Sequence, residues 1–365
     1  MGVQIILFIL VIIGYFAFGE SVSVGQNNSR KKYIIFVSVL LILQSGLRGL
    51  SVGSDTNVYC VDFENIVLKS WNEIWYGFHE VYIEGTGKDA GYPLFVKMFQ
   101  IINTDYQIFL IFVAFVFFYA FGRFLYINTS SNKDVLLAVA IYQAVFYSFM
   151  SITGIRQTLA TAFTLFAFEY IKNNKWIKFI LLLFIASFLH KSCLVFAAAY
   201  LVCKISNVRF VLISSVIGAI ILFPLGRTFA AFLVGISGSD SYMGYITRGY
   251  ETQGAQTFAL MMVMMLILLL KYGKEIVKSD EQKVLQLKIF SLAVLFTPFT
   301  WIDPSLMRVV QYFSIFMVSL LPSIITQIEY SNRNNGNTIY QIVLLFFMFV
   351  TLSRQAYYVF FWEEL

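Results

Sequence analysis

Tyr106-Gln-Ile-Phe-Leu-Ile-Phe-Val-Ala-Phe-Val-Phe-Phe-Tyr-Ala-Phe-Gly122 holds no charged residue and is apolar on every face of a helix. Such a helix belongs in lipid or in the middle of a bundle. Similar runs lie near 3–18, 33–47, 135–150, 155–171, 177–190, 193–204, 209–225, 256–270, 287–300, 308–327 and 339–353. Hydrophobic residues make up 59% of the 365 and charged ones 13%, and mean hydropathy is +0.76. A soluble fold of this length cannot bury that much apolar surface, so most of the chain is read as solvated by lipid. The expected fold is all-α and polytopic, with about 12 spans (10–12). The range reflects 177–190 and 193–204, which read as two spans, one kinked helix or a re-entrant hairpin. Residues 1–365 read as one membrane domain, without repeats or composition shifts.

The first run has no basic residue before it and no small-residue cleavage site after it, unlike a signal peptide. Arg30, Lys31 and Lys32 follow it and place the N-terminus outside. Alternation then puts sixteen of the 26 Lys and Arg residues in cytoplasmic connections and both termini outside. The net charge of +6 follows from that bias, and no basic stripe calls for nucleic acid. Cys60, Cys193 and Cys203 have neither disulfide nor metal spacing. No nucleotide-binding or metal motif is present, and no metal or cofactor is expected.

Two outer segments interrupt the apolar rhythm. In 48–105, Asp55, Asp62, Glu64, Glu73, Glu80, Glu84, Asp89 and Asp105 outnumber Arg48, Lys69, Lys88 and Lys97. Phe63, Ile66, Val67, Trp71, Ile74, Trp75 and Phe78 recur there at helical spacing. That stripe fits an amphipathic helix at the membrane interface or a small cap packed on other helices. His79 reads as a surface residue. A further helix over 92–102, with Pro93 in its first turn, dips back toward the membrane. The second segment, 226–255, is rich in Gly and Ser and carries Tyr242, Tyr245, Arg248 and Tyr250, as a mobile lid or an ordinary loop does. The cytoplasmic stretch 271–288 reads as a solvated, charged helical connector without chemistry.

Six arginines, Arg48, Arg156, Arg227, Arg248, Arg308 and Arg354, fall on the outer side, where orientation does not call for them. Arg48-Gly-Leu-Ser-Val-Gly-Ser-Asp55-Thr-Asn-Val-Tyr59 follows the second span. Its guanidinium suits phosphate oxygens, which it binds bidentately. The alternative is a helix C-cap paired with Asp55. Ile155-Arg156-Gln157 opens the fifth span, where both topology and helix dipole disfavour a cation unless an anion lies nearby. Trp301-Ile-Asp303-Pro-Ser-Leu-Met-Arg308 repeats that arrangement, or else forms a simple ion pair. His190-Lys191-Ser192 separates two short runs, and His190 is either an acid–base group or a polar residue satisfying a helix break.

At these residues the chain resembles the EpsG family of Wzy-type bacterial polysaccharide polymerases. The resemblance rests on Arg48 with Val-Gly-Ser-Asp-Thr and Tyr59, on Gly91-Tyr92, on Ile155-Arg156-Gln157-Thr-Leu-Ala160, on His190-Lys-Ser192, and on Arg308 with Tyr312-Phe313 and Pro322. It runs from the second span to the eleventh. The proline after Gly91-Tyr92 departs from the pattern. The resemblance implies a multispanning, GT-C-like glycosyltransferase of the bacterial cytoplasmic membrane, active on its periplasmic or external face. Its donor and acceptor would be undecaprenyl-pyrophosphate-linked oligosaccharides, and a chain-length regulator protein would be a partner. The leaving pyrophosphate would be met by Arg48, Tyr59, Arg156, Gln157, Lys191, Arg248 and Arg308, without a metal. The base for the acceptor hydroxyl would be Asp55, His190 or Asp303, in decreasing order of preference. A flippase of lipid-linked oligosaccharide is the alternative, and would line the depth of the bundle with cations. An O-acetyltransferase would want its histidine deeper or on the cytoplasmic side.

Overall fold

A computed structural model describes residues 2–19, 26–237, 253–331, 336–354 and 357–364. These residues are helical wherever they are regular, and their one extended pairing is a single bridge between Arg48 and Phe360. Four helices are long and apolar enough to cross a membrane: Tyr106–Asn128, Val208–Phe229, Gln256–Gly273 and Glu281–Trp301. A fifth crossing exists if Met307–Ser314 and Met317–Glu329, bent by 47° at their break, form one span. Gly2–Ala17, Trp176–Leu189 and Asn337–Ser353 are apolar but shorter. Other expected spans miss the criterion for plain reasons. Gln26–Gly46 carries Arg30, Lys31 and Lys32, and Ile155–Lys172 carries Arg156, Glu169 and Lys172. The chain is thus an all-α protein with several membrane-compatible helices.

The chain divides into two compact units. The first comprises Met1–Leu68, Val96–Phe166 and Val318–Leu365. In it α1 (Gly2–Ala17) and α2 (Gln26–Gly46) lead to α3 (Thr56–Leu68), and α6 (Tyr106–Asn128) packs along α2. Small residues permit that close approach: a Cβ on Gly46 would meet Ile111 Cα at 2.8 Å, and one on Gly122 would meet Ser38 Oγ at 2.7 Å. α7 (Asn132–Val145) is buried from Val135 to its end, and the single turn α8 (Tyr147–Met150) follows it. It starts from a reciprocal cap in which Ser131 accepts from the Asp134 N–H and Asp134 accepts from the Ser131 N–H.

The second unit comprises Lys69–Phe95 and Ala167–Met317. It contains α4 (Trp71–Tyr82), α10 (Trp176–Leu189), a 3₁₀ turn Lys191–Phe196, α11 (Ala197–Lys204) and α12 (Val208–Ser237). Then follow α13 (Gln253–Ser279), α14 (Glu281–Phe296) and α15 (Met307–Ser314). Its centre is aromatic: Phe196 stacks on Phe313 at 5.8 Å, and Phe296 on Phe313 at 5.7 Å. α5 (Gly91–Gln100) and α9 (Ile155–Lys172) run across the boundaries of the division.

Several expectations change in detail. The single stripe from Phe63 to Phe78 is two helices, because Ser70 caps α4 and its side chain exchanges hydrogen bonds with Glu73. Trp71 and Trp75 are exposed while Ile74 is buried. The loop expected over 226–255 is helical at both described ends, since α12 continues through Pro224 to Ser237 and α13 begins at Gln253. Ala230, Ala231, Phe232, Leu233 and Val234 carry no helix-breaking residue. Residues 238–252, with Arg248 and its tyrosines, lie outside the described residues. In 271–288, Asp280 caps α14 by accepting from the Gln282 N–H at 2.7 Å. Lys283 and Lys288 are buried rather than solvated, and Lys288 donates to the Cys203 carbonyl at 3.3 Å. At 177–204 the chain doubles back after His190, so that the Cys193 thiol reaches the Leu183 carbonyl at 3.8 Å.

Candidate functional site

In the first unit the site grows from the turn after α2. Arg48 is almost fully buried, and its guanidinium donates to the Ser45 carbonyl and, at 3.3 Å, to the Thr56 hydroxyl. Thr56 in turn donates to the carbonyls of Val52 at 2.6 Å and Ile152 at 3.0 Å. Ser45 donates to the Ser151 carbonyl at 2.6 Å. Glycine is required at position 53. Its φ is +89°, and a Cβ would stand 2.2 Å from the Ile152 carbonyl oxygen. One turn into α3, Tyr59 receives a hydrogen bond from Arg156 Nε at 3.4 Å, and the guanidinium carbon lies 5.6 Å from the ring centroid.

Around Arg48 a narrow cleft has two kinds of wall. Ser45, Ser151, Thr153 and Thr158 supply polar groups, and Val113, Phe117 and Phe118 an apolar face. Gly154 and Ile155, where α9 begins, also line it. Helix N-termini of this kind favour anions. From elsewhere in the sequence, residues 357–364 grip the same turn. Gly49 donates to Val359 O and Phe361 to Leu47 O, both at 3.0 Å. Glu364 accepts from the N–H groups of Leu50 at 2.5 Å and Ser51 at 3.1 Å, and from the Ser51 hydroxyl. Slight burial opposes its charge, yet the Ser51 hydroxyl and the Ser51 and Leu50 N–H groups hold Glu364 below the usual carboxylate range.

In the second unit the site is an acid–base pair. His190 caps the end of α10 in extended conformation, φ −159° and ψ 108°. Its Nδ1 lies 3.0 Å from Asp89 Oδ2, and Asp89 Oδ1 accepts the Lys191 N–H at 3.0 Å. Both side chains are buried, while His190 Nε2 has no hydrogen-bond partner among the described residues. The next residue, Ser192, shares a 3.1 Å hydrogen bond with the Tyr312 hydroxyl on α15. That hydroxyl lies within electrostatic range of Asp89 and Arg308. The Lys191 ammonium stands 5.1 Å from the ring centroid of Tyr82. Partial burial and the Asp89 carboxylate push Tyr82 above the usual phenol range.

Among the residues singled out by sequence, Tyr59 and Arg156 meet in the first unit, with Gln157 buried beside Arg156 on α9, while Arg48 is held by Ser45 and Thr56. Asp55 precedes α3, half-exposed, and its carboxylate accepts from the Ser54 hydroxyl at 3.0 Å. In the second unit His190 and Lys191 adjoin Asp89. Arg308 is the second residue of α15, as Arg156 is of α9. Asp303 is buried, accepts the Ser305 N–H at 2.6 Å through Oδ1, and its Oδ2 has no hydrogen bond among the described residues. Arg227 is exposed, and Arg354 donates to the Ala144 carbonyl at 2.8 Å. Burial, and then Glu64, push the Cys60 thiol up to about 11, which leaves it unreactive.

Sequence reasoning missed Asp89, Thr56, Ser45 and Glu364. For Asp89 a signal existed in Gly91, where a Cβ would meet Phe188 Cβ at 2.4 Å. Glycine there lets the turn bearing Asp89 reach the end of α10.

A family model described as the EpsG family matches residues 31–363, nearly the whole chain. No curated protein and no solved structure matches.

Proposed function

This chain belongs to the EpsG family, which points to a polysaccharide-polymerase role, and we propose that it joins undecaprenyl-pyrophosphate-linked oligosaccharide repeats into a surface polysaccharide. The reaction would take place on the extracytoplasmic face of the bacterial cytoplasmic membrane. The protein would be a GT-C-like enzyme of about 12 spans that uses no metal. The observation that carries this reading is the buried guanidinium of Arg48, set among hydroxyls, apolar side chains and the start of α9 around a cavity of about 10 Å³, which has to widen to admit a phosphate. A lipid-linked phosphate needs both kinds of surface.

In the reaction, the acceptor hydroxyl attacks the anomeric carbon of the donor. The bond from that carbon to the pyrophosphate oxygen breaks, the electron pair leaves on the phosphate, and a base takes the hydroxyl proton. Arg48 and Arg156, with Tyr59 and Gln157 beside them, neutralise the leaving group. Lys191, Arg248 and Arg308 are assigned the remaining anionic contacts of donor and acceptor.

The test is the lipid-linked glycan of a deletion strain. Single repeats accumulating on the outer leaflet support a polymerase, and repeats trapped on the inner leaflet overturn it in favour of a flippase. Arg48→Lys, Arg156→Lys and Arg308→Lys keep charge but lose the fork, and Arg48→Lys should slow polymerisation on the order of 10²-fold, as losing one charge-stabilising donor does. Wild-type ladders in all three variants would remove the pyrophosphate roles. For orientation, an impermeant thiol reagent should label Glu84→Cys and not Lys278→Cys in intact cells.

A further inference from the structure

We propose that Asp89 is a positioning residue that makes His190 the general base, an assignment that rests on the polymerase reading above. Asp89 is 4% exposed and His190 6%. An ionised carboxylate only accepts hydrogen bonds, so the 3.0 Å contact at Nδ1 places the imidazole proton there. Nε2 then carries the lone pair. That nitrogen is buried and makes no hydrogen bond among the described residues. An orphaned buried acceptor of this kind costs stability, and a ligand hydroxyl satisfies it.

Asp89 is fixed twice. Its second oxygen takes the Lys191 N–H at 3.0 Å, which ties the carboxylate to the backbone beside the histidine. The ring is therefore held both in tautomer and in direction. The ligand class that fits Nε2 is a sugar hydroxyl of the acceptor. As its oxygen bonds to the anomeric carbon and the donor's bond to pyrophosphate breaks, its proton moves to Nε2. The imidazolium so formed is stabilised by Asp89, which keeps its own charge.

Asp55 is the weaker base. It is half-exposed, and its carboxylate already accepts from Ser54. Asp303 is buried and keeps one oxygen without a hydrogen bond among the described residues, and no ion pair found among those residues includes it, unlike Asp89 with His190.

The experiment uses the full chain in lipid nanodiscs and follows polymerisation of purified lipid-linked repeats. His190→Ala should lower kcat by about 10²–10⁴-fold with little change in KM. Asp89→Asn should lower it on the order of 10²-fold or more, as replacing a carboxylate that fixes a catalytic tautomer does. The double variant Asp89→Asn/His190→Ala should be no slower than His190→Ala alone, because Asp89 acts only through His190. Asp89→Glu should recover part of the loss, and His190→Gln, which fills the space, should not. Multiplicative losses in the double variant, or wild-type kcat in Asp89→Asn, overturn the assignment while the polymerase reading stands. A wild-type protein that forms no polymer overturns both.

Discussion

The two histidines of this chain each sit 3.0 Å from a carboxylate oxygen through Nδ1, and they are otherwise unlike. In the His79–Glu84 pair, side-chain exposure is 49% and 39%. In the His190–Asp89 pair it is 8% and 1%. Around His79 both partners are exposed, the ring stacks on Tyr76 at 5.5 Å, and Glu84 also accepts from the Tyr76 hydroxyl at 3.0 Å. At His190 the carboxylate is held by backbone and the far ring nitrogen is kept dry. Distance alone does not separate the two pairs. Desolvation and the free nitrogen do, because a dry, oriented dipole needs no reorganisation when charge develops.

The largest test of that contrast is activity. His79→Ala should polymerise within about twofold of wild type, since an exposed side chain away from the chemistry is worth little. His190→Ala should lose about 10²–10⁴-fold under the same conditions. Equal losses in the two variants would show that exposure is the wrong criterion and that the surface helix α4 takes part in the reaction.

Stability gives the next separation. Asp89→Asn replaces an acceptor-only group by an amide and unsettles a buried network, so it should cost about 1–3 kcal/mol. Glu84→Gln breaks an exposed pair and should stay within about 0.5 kcal/mol. Thermal unfolding of the two variants in the same detergent measures the difference. A larger shift for Glu84→Gln would invert the comparison.

How much of this was legible without coordinates depends on sequence distance. The helical nature of the chain was legible because apolar runs of span length leave few alternatives. The helix-start arginines, Arg156 and Arg308, followed from where those runs begin. Arg48 and Thr56 lie eight residues apart in one loop, so the loop could be recognised although its hydrogen bonds could not. Asp89 and His190 are 101 residues apart, and Tyr59 and Arg156 are 97 apart. Such pairings are made by packing and leave no periodic trace. The break at Ser70 was a different kind of miss. Ser70 and Glu73 carry a start signal, but the apolar stripe ran on in phase across the break and concealed it.

The finest test reads the two carboxylates through their neighbouring phenols on α4. Tyr76 is raised above the usual phenol range first by its hydrogen bond to Glu84 and then by the charge of Glu84. Tyr82 is raised first by burial and only then by Asp89. Unfolded tyrosine ionises near 10, about the model-peptide value. A raised phenol keeps its proton longer in the folded chain, so its contribution to stability is complete below about pH 10 and fades as pH climbs through the folded value. Glu84→Gln should therefore move the Tyr76 titration most of the way back toward that of a free phenol, and Asp89→Asn should move Tyr82 only slightly. With 22 tyrosines in the chain, the signal is read as the change in phenolate absorbance between Tyr76→Phe or Tyr82→Phe and its parent, with and without the carboxylate change. If Tyr82 returned to the ordinary range in Asp89→Asn while Tyr76 stayed raised in Glu84→Gln, charge rather than burial would govern the inner pair. The distinction drawn between the two histidines would then rest on the bare Nε2 alone.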